Sequence, residues 1–202
     1  MTSNDGDVRT SWDRIDAWCG SHLRGTPVRA VSDPGLLRAV ETELGEAIPA
    51  DVRAWWALER VGADFWLPGP FAPMDLAEAL ETREIWLEVA EQEDAAFDAN
   101  GTPEPRFLPS FLPIAAGPGG DGLVVDLRPG GSRGAVYLWD HETWVLGVPL
   151  WSSVAAMLQD IATALESGTP ALLRHTALGG TEKACVARVD DAGELTWEAA
   201  AR

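Results

Sequence analysis

Apolar residues are spaced along this chain in two periods, and the change of period marks its elements. From Leu112 to Trp144 the apolar segments are short and bounded by glycine. Leu123 to Leu127 is an apolar run broken only by Asp126, and Ala135 to Trp139 is a second. Gly117 to Gly122 bounds the first run and Pro129-Gly130-Gly131 separates the two. Two such runs joined by a short Gly/Pro loop predict a β-hairpin, here led in by the apolar stretch from Leu112. Strand side chains alternate, so Leu123, Val125 and Leu127 share one face and Val124 and Asp126 the other. Both faces are largely apolar, which predicts a sheet covered on both sides.

Elsewhere the spacing is three and four, the helical period. Trp12, Ile15 and Cys19 predict a helix over Val8 to Leu23, with Gly25 and Pro27 ending it. Asp33 as N-cap and Pro34 as first helical residue open a second, striped by Leu36, Leu37, Val40 and Leu44 and closed by Gly45. A third starts at Ile48-Pro49, carries Val52, Trp55 and Trp56, and stops at Gly62. Adjacent tryptophans do not share a helix face, so one is expected in the core and the other against the next segment. Asp64 to Phe71 reads as extended or turn-like because of Pro68, Gly69 and Pro70. The longest pattern runs from Asp75 to about Phe97, with Leu76, Ala79, Leu80, Trp86, Leu87 and Ala90 as its stripe. Val145 to Val148 follows the hairpin as a short strand. Ser152 or Ser153 then caps a helix striped by Val154, Met157, Leu158, Ile161 and Leu165, with Gly168 and Pro170 closing it. Ala184 to Val189 and Glu194 to Glu198 flank the turn Asp190-Asp191-Ala192-Gly193 as a last hairpin. Clustered helices with separate strand pairs define an α+β class.

Charge singles out one of these helices. The 202 residues carry 32 acidic and 15 basic side chains, a formal net charge of -17. Nine of those acids fall between Met74 and Asp98, against Arg83 alone. Glu78, Glu81, Glu84, Glu88 and Glu91 recur at intervals of three and four, so several lie close together on one side of the helix. Like charges at that spacing weaken an isolated helix by about 0.2–0.5 kcal/mol per pair. Such a balance argues against nucleic acid, which needs clustered Lys and Arg, and against an anionic membrane surface. It suits a basic protein partner, whose approach the field accelerates, and it also serves solubility. No apolar run approaches the roughly 18 residues of a membrane helix and the first residues carry no signal-peptide core, so a cytoplasmic location is expected. Cys19 and Cys185 match no metal spacing and are expected as free thiols.

Candidate chemistry is sparse. Gly117 to Gly122, GPGGDG, satisfies G-x-G-x-x-G, but a strand follows it where a dinucleotide site needs a helix. A tight turn using a positive-φ glycine is the expected role. Asp140-His141-Glu142 places three polar groups in a turn, where consecutive residues point in different directions, and no further Cys/His cluster supports a metal. No metal, cofactor or nucleotide is therefore expected. The enzyme alternative is a small hydrolase or metal-dependent enzyme using His141 with Glu142 or Asp126. Asp126 needs hydrogen-bond donors if buried, and Arg133 or a turn N–H is positioned in sequence to supply them. Ten tryptophans are many for this length, and Trp66, Trp139, Trp144 and Trp151 lie near loops or strand ends, where they fill a core or serve an interface.

Three pieces in order resemble one family: LGEAIPADVRAWW, LPIAAGPGGDGLVVDL and SSVAAMLQDIATAL. Over Leu36 to Leu165 the chain resembles the SUKH superfamily of Smi/Knr-type cell-wall regulators and bacterial toxin-immunity proteins. None of the three pieces is a catalytic signature. The resemblance implies a mixed, largely antiparallel sheet flanked by helices, with an N-terminal helix and a C-terminal hairpin added. The division expected is an N-terminal helical extension over 1–32, the SUKH-like domain over 33–168 and a hairpin extension over 169–202. It further implies a non-enzymatic, monomeric or weakly dimeric binding module that occludes a basic toxin domain encoded nearby, or alternatively a regulatory scaffold. Candidate partner-binding residues are Glu78, Glu81, Glu84, Glu88, Glu91, Trp66, Trp144 and Glu142.

Overall fold

The computed structural model describes residues 5–24, 34–45, 47–58, 65–69, 71–92, 107–142, 146, 148–172, 176–177, 181–182 and 184–200. The elements are α1 Asp5–His22, α2 Pro34–Leu44, α3 Ala50–Ala57, β1 Ala72–Pro73, α4 Leu76–Gln92, β2 Phe111–Ala116, β3 Gly122–Asp126, β4 Val136–Trp139 and α5 Val154–Ser167. Short strands β5 Thr176–Ala177 and β6 Thr181–Glu182 pair with each other, and β7 Cys185–Val189 pairs with β8 Leu195–Ala199. The class is α+β, as the alternation of periods predicted. Gly25, Pro27, Asp33, Gly62, Phe97 and Val145, on which some boundary assignments rested, lie outside the described residues.

The central sheet has the order β1-β2-β3-β4 and every described pairing in it is antiparallel. Leu123 faces Leu138 and Val125 faces Val136, the hairpin read from the sequence. The stretch leading into it is itself a strand. β2 pairs with β3 from Phe111↔Asp126 to Ala116↔Gly122, with a register shift between Pro113 and Ala115. Pro113 has no N–H to give to a ladder, and the extra residue Ile114 turns its carbonyl to the N–H of Met74 at 2.9 Å. GPGGDG is thus the β2–β3 turn, with Gly120 at φ +98° as a tight turn requires.

Both sheet faces are covered. Leu112, Ile114, Leu123, Val125 and Val136 join Trp12, Ile15, Val52, Trp55, Leu158 and Ile161 in the main core, contributed by α1, α3 and α5. Leu127 is buried with them, and Leu138 packs there partly exposed. On the other face Phe111, Val124, Tyr137 and Trp139 meet Phe107 and the side chains of Trp86, Leu87 and Ala90 from α4. Edge-to-face pairs bind this second cluster, with Phe107 centred 5.2 Å from Trp86, 5.3 Å from Trp139 and 5.8 Å from Phe111. Trp55 and Trp56 are both buried; Trp55 meets Trp12 edge-on at 5.6 Å, while Trp56 Nε1 donates to the Met74 carbonyl in the next segment.

α5 is closed by its own sequence at both ends. Ser153 Oγ accepts the N–H of Ala156 at 3.0 Å, and Gly168 adopts φ +66° with its N–H on Ala164. Buried Asp51 of α3 accepts the N–H of Ala155 at 3.2 Å, so one carboxylate ties two helix starts together. α1 lies against α5, where Arg14 meets Glu166 through two hydrogen bonds of 3.0 and 2.6 Å. Cys19 is buried in this packing, which pushes its thiol up to about 12, with Asp16 adding to the effect. Cys19 and Cys185 are both free.

Candidate protein-binding surface

α4 is positioned from three points. At its start, Asp75 Oδ1 accepts the N–H of Glu78 at 2.9 Å and Glu78 Oε2 accepts the N–H of Asp75 at 2.8 Å. This reciprocal capping box satisfies two orphan donors and gives Glu78 a folding role of its own. In the middle, Arg83 is buried and donates from Nε at 3.2 Å and Nη2 at 2.7 Å to the carbonyl of Pro109. The only cation of the helix thus reaches the segment before β2. Toward its end, Trp86 packs against Gly122. A Cβ there would stand 2.5 Å from the indole and 2.8 Å from the Ala115 carbonyl, so the strand must carry glycine for α4 to seat.

The face left outward carries Glu81, Glu84, Ile85, Glu88, Val89 and Glu91, all exposed. Ile85 is 51% exposed and Val89 39%. No hydrogen bond or ion pair engages Glu81, Glu84, Glu88 or Glu91 among the described residues. Ile85 and Val89 sit off the stripe that predicts burial, one turn apart, and no signal in the sequence singled them out. The remaining candidates lie elsewhere. Trp66 is half-buried and its carbonyl accepts Trp197 Nε1 at 2.7 Å, which places it under the β7–β8 hairpin. Glu142 is exposed in the turn after β4, with its N–H on Asp140 Oδ1 at 2.8 Å. Trp144 lies outside the described residues.

The geometry does not bring Asp126 to His141. Asp126 ends β3, whereas His141 follows β4 at the Gly122 end, about 13 Å of strand away. Asp126 is 2% exposed and is held by Arg128, not Arg133, through hydrogen bonds of 2.9 and 2.7 Å from the guanidinium and 2.9 Å from the Arg128 N–H. That partner is two residues away in the turn, and its guanidinium lies 5.0 Å from the Phe111 ring centre. Arg133 instead donates to the carbonyls of Leu127 and Ala47. The expected backbone donor is present, and the expected arginine is corrected.

His141 meets Asp121 of the β2–β3 turn, with Nδ1 2.8 Å and the backbone N–H 3.1 Å from the same Oδ1. The Asp121 hydrogen bond holds His141 above its ordinary pKa, and Asp140 and Glu142 act in the same direction. Asp121, Asp140 and His141 bring one ligand atom each within 4.8 Å of one another. Both carboxylates already serve the turns, one on His141 and one on the Glu142 N–H, so the group fastens two loops together. No hydrogen bond reaches His141 Nε2 among the described residues, and a His–Asp pair without a nucleophile there is half of a triad.

A four-stranded antiparallel sheet between helical layers, closed by a Ser-capped helix, defines an α+β domain whose outward acidic helix is its most charged element. Residues 33–160 match the SMI1/KNR4 family (SUKH-1), and the chain belongs to that family. α1 and the β7–β8 hairpin fall outside the matched span. No curated protein matches the chain in sequence. None of the described helices is long and apolar enough to cross a membrane.

Proposed function

We propose that this protein is a non-catalytic binding module of the immunity type, which neutralises a basic toxin domain by covering its cationic surface. The observation that carries the reading is the outward face of α4. Its four glutamates repel one another, no hydrogen bond or ion pair engages them among the described residues, and the fold is secured through the opposite face. An arrangement that costs the free protein stability is accounted for when a partner uses the field. Family membership supports protein binding as the mode of action, and an immunity role places the protein in the cell that makes the toxin. Residues 1–32 and 169–202 act as additions to the family domain, with Trp66, Trp144 and Glu142 as secondary contacts.

The test is affinity capture from the native cell with the neighbouring gene products present, followed by association kinetics with the partner recovered. Substituting Glu81, Glu84 and Glu88 by Gln should slow association and flatten its salt dependence. Equal rates for variant and wild type at low salt would end the capture reading. A recovered partner with no toxic activity would favour the regulatory-scaffold alternative.

A further inference from the structure

The apolar pair on α4 asks for an explanation that charge does not supply. Ile85 lies about 160° around the helix from buried Arg83, so it points directly away from the core and is not a stray edge of it. Val89 stands one turn on, about 6 Å away on the same side. Neither side chain is buried, with Ile85 51% and Val89 39% exposed, and solubility is served worse by both. Resting on the capture reading above, we infer that Ile85 and Val89 form the apolar anchor of the partner site, and that its occupant is an arginine-bearing amphipathic helix of the partner.

Charge decides between the occupants. A second copy of this chain laid on the same face would bring two rows of glutamates together, an arrangement that repels at every turn. Nucleic acid and anionic lipid are repelled by the same field. A cationic partner is drawn in, and arginine suits this face better than lysine. Its stem covers apolar surface, while its planar guanidinium reaches a carboxylate in a two-point hydrogen bond. Glu81, Glu84 and Glu88 stand beside Ile85 within a turn of it, so stem and head groups meet their counterparts at once. An apolar centre inside a charged rim is also the form in which a few residues carry most of the binding free energy.

Two synthetic helical peptides of equal charge provide the probe, both with arginines along one face. One carries leucines at i and i+4 within that face, and the other carries glutamines there. Fluorescence anisotropy against the full chain should show the leucine peptide binding at least about tenfold tighter. That increment should vanish in Ile85→Ser/Val89→Ser, an exposed pair whose change should leave the circular dichroism spectrum unaltered. Substituting Glu81, Glu84 and Glu88 by Gln should weaken both peptides alike. No leucine increment on the wild type, or an increment that survives Ile85→Ser/Val89→Ser, overturns the anchor while leaving charge capture standing. Loss of charge dependence for both peptides removes the capture reading and the anchor with it. Sedimentation that finds a dimer dispersed by Ile85→Ser/Val89→Ser overturns the inference in favour of a second copy.

Discussion

α5 and α4 flank the same sheet and differ in what their residues are for. α5 buries Val154, Met157, Leu158, Ile161 and Leu165, starts on Ser153 and ends on Gly168, and every one of these choices is explained by folding. α4 buries Leu76 and Ala79 and packs a half-buried Trp86 on the sheet, yet carries glutamates and two aliphatic side chains outward that folding does not require. A helix explained by its fold is a poor place to look for function. One whose exposed face costs stability is a good place.

Breaking α5 should have the largest effect. Leu158→Ala removes a fully buried side chain from the main core and should lower stability by about 2–5 kcal/mol, read by urea denaturation. Binding per folded molecule should stay unchanged, since α5 contributes nothing to the proposed surface. The seat of α4 comes next. Gly122→Ala drives a methyl group into Trp86 and the Ala115 carbonyl and should cost about 1–3 kcal/mol. A thermal shift with no change in Trp fluorescence would separate α4 from that strand and undo the placement.

Relieving the outward face should act in the opposite direction. Substituting Glu81, Glu84 and Glu88 by Gln removes like-charge neighbours, each worth about 0.2–0.5 kcal/mol, so the free protein should become slightly more stable. Unchanged or lower stability would mean that the glutamates are supported by neighbours and cost nothing. The smallest effect belongs to the exposed pair that joins the β2–β3 turn to the turn after β4. His141 has its folded pKa raised above its ordinary value by Asp121, so the pair stabilises the fold below about pH 6.5. That contribution fades as pH rises through the raised value. Wild type should therefore exceed Asp121→Asn in stability by more at about pH 5.5 than at about pH 8.5, measured by paired denaturation curves. A pH-independent difference would show that the loops are fastened by geometry alone.

Much of this architecture follows from residues near one another in sequence. Caps at Ser153 and Gly168, the Gly193 turn at φ +85° and the stripes of α1, α2 and α5 are local, because a helix or tight turn is closed by partners three or four residues away. The β3–β4 hairpin reaches further, pairing residues 11 to 17 apart, but its two runs are consecutive and joined by a Gly/Pro turn. β2 was not legible as a strand: its six residues include Pro113 and a bulge, and its strand character exists only through pairing with β3 and β1. The partner of Asp126 depended on which way the turn carried Arg128 and Arg133. The partner that Arg83 took was Pro109, 26 residues on. The pairing of His141 with Asp121 spans 20 residues and two turns. The acidic face of α4 was written in the spacing of its glutamates. That Ile85 and Val89 stand exposed among them was decided only when the sheet took Trp86, Leu87 and Ala90, because periodicity defines the faces of a helix and its neighbours choose which one is buried.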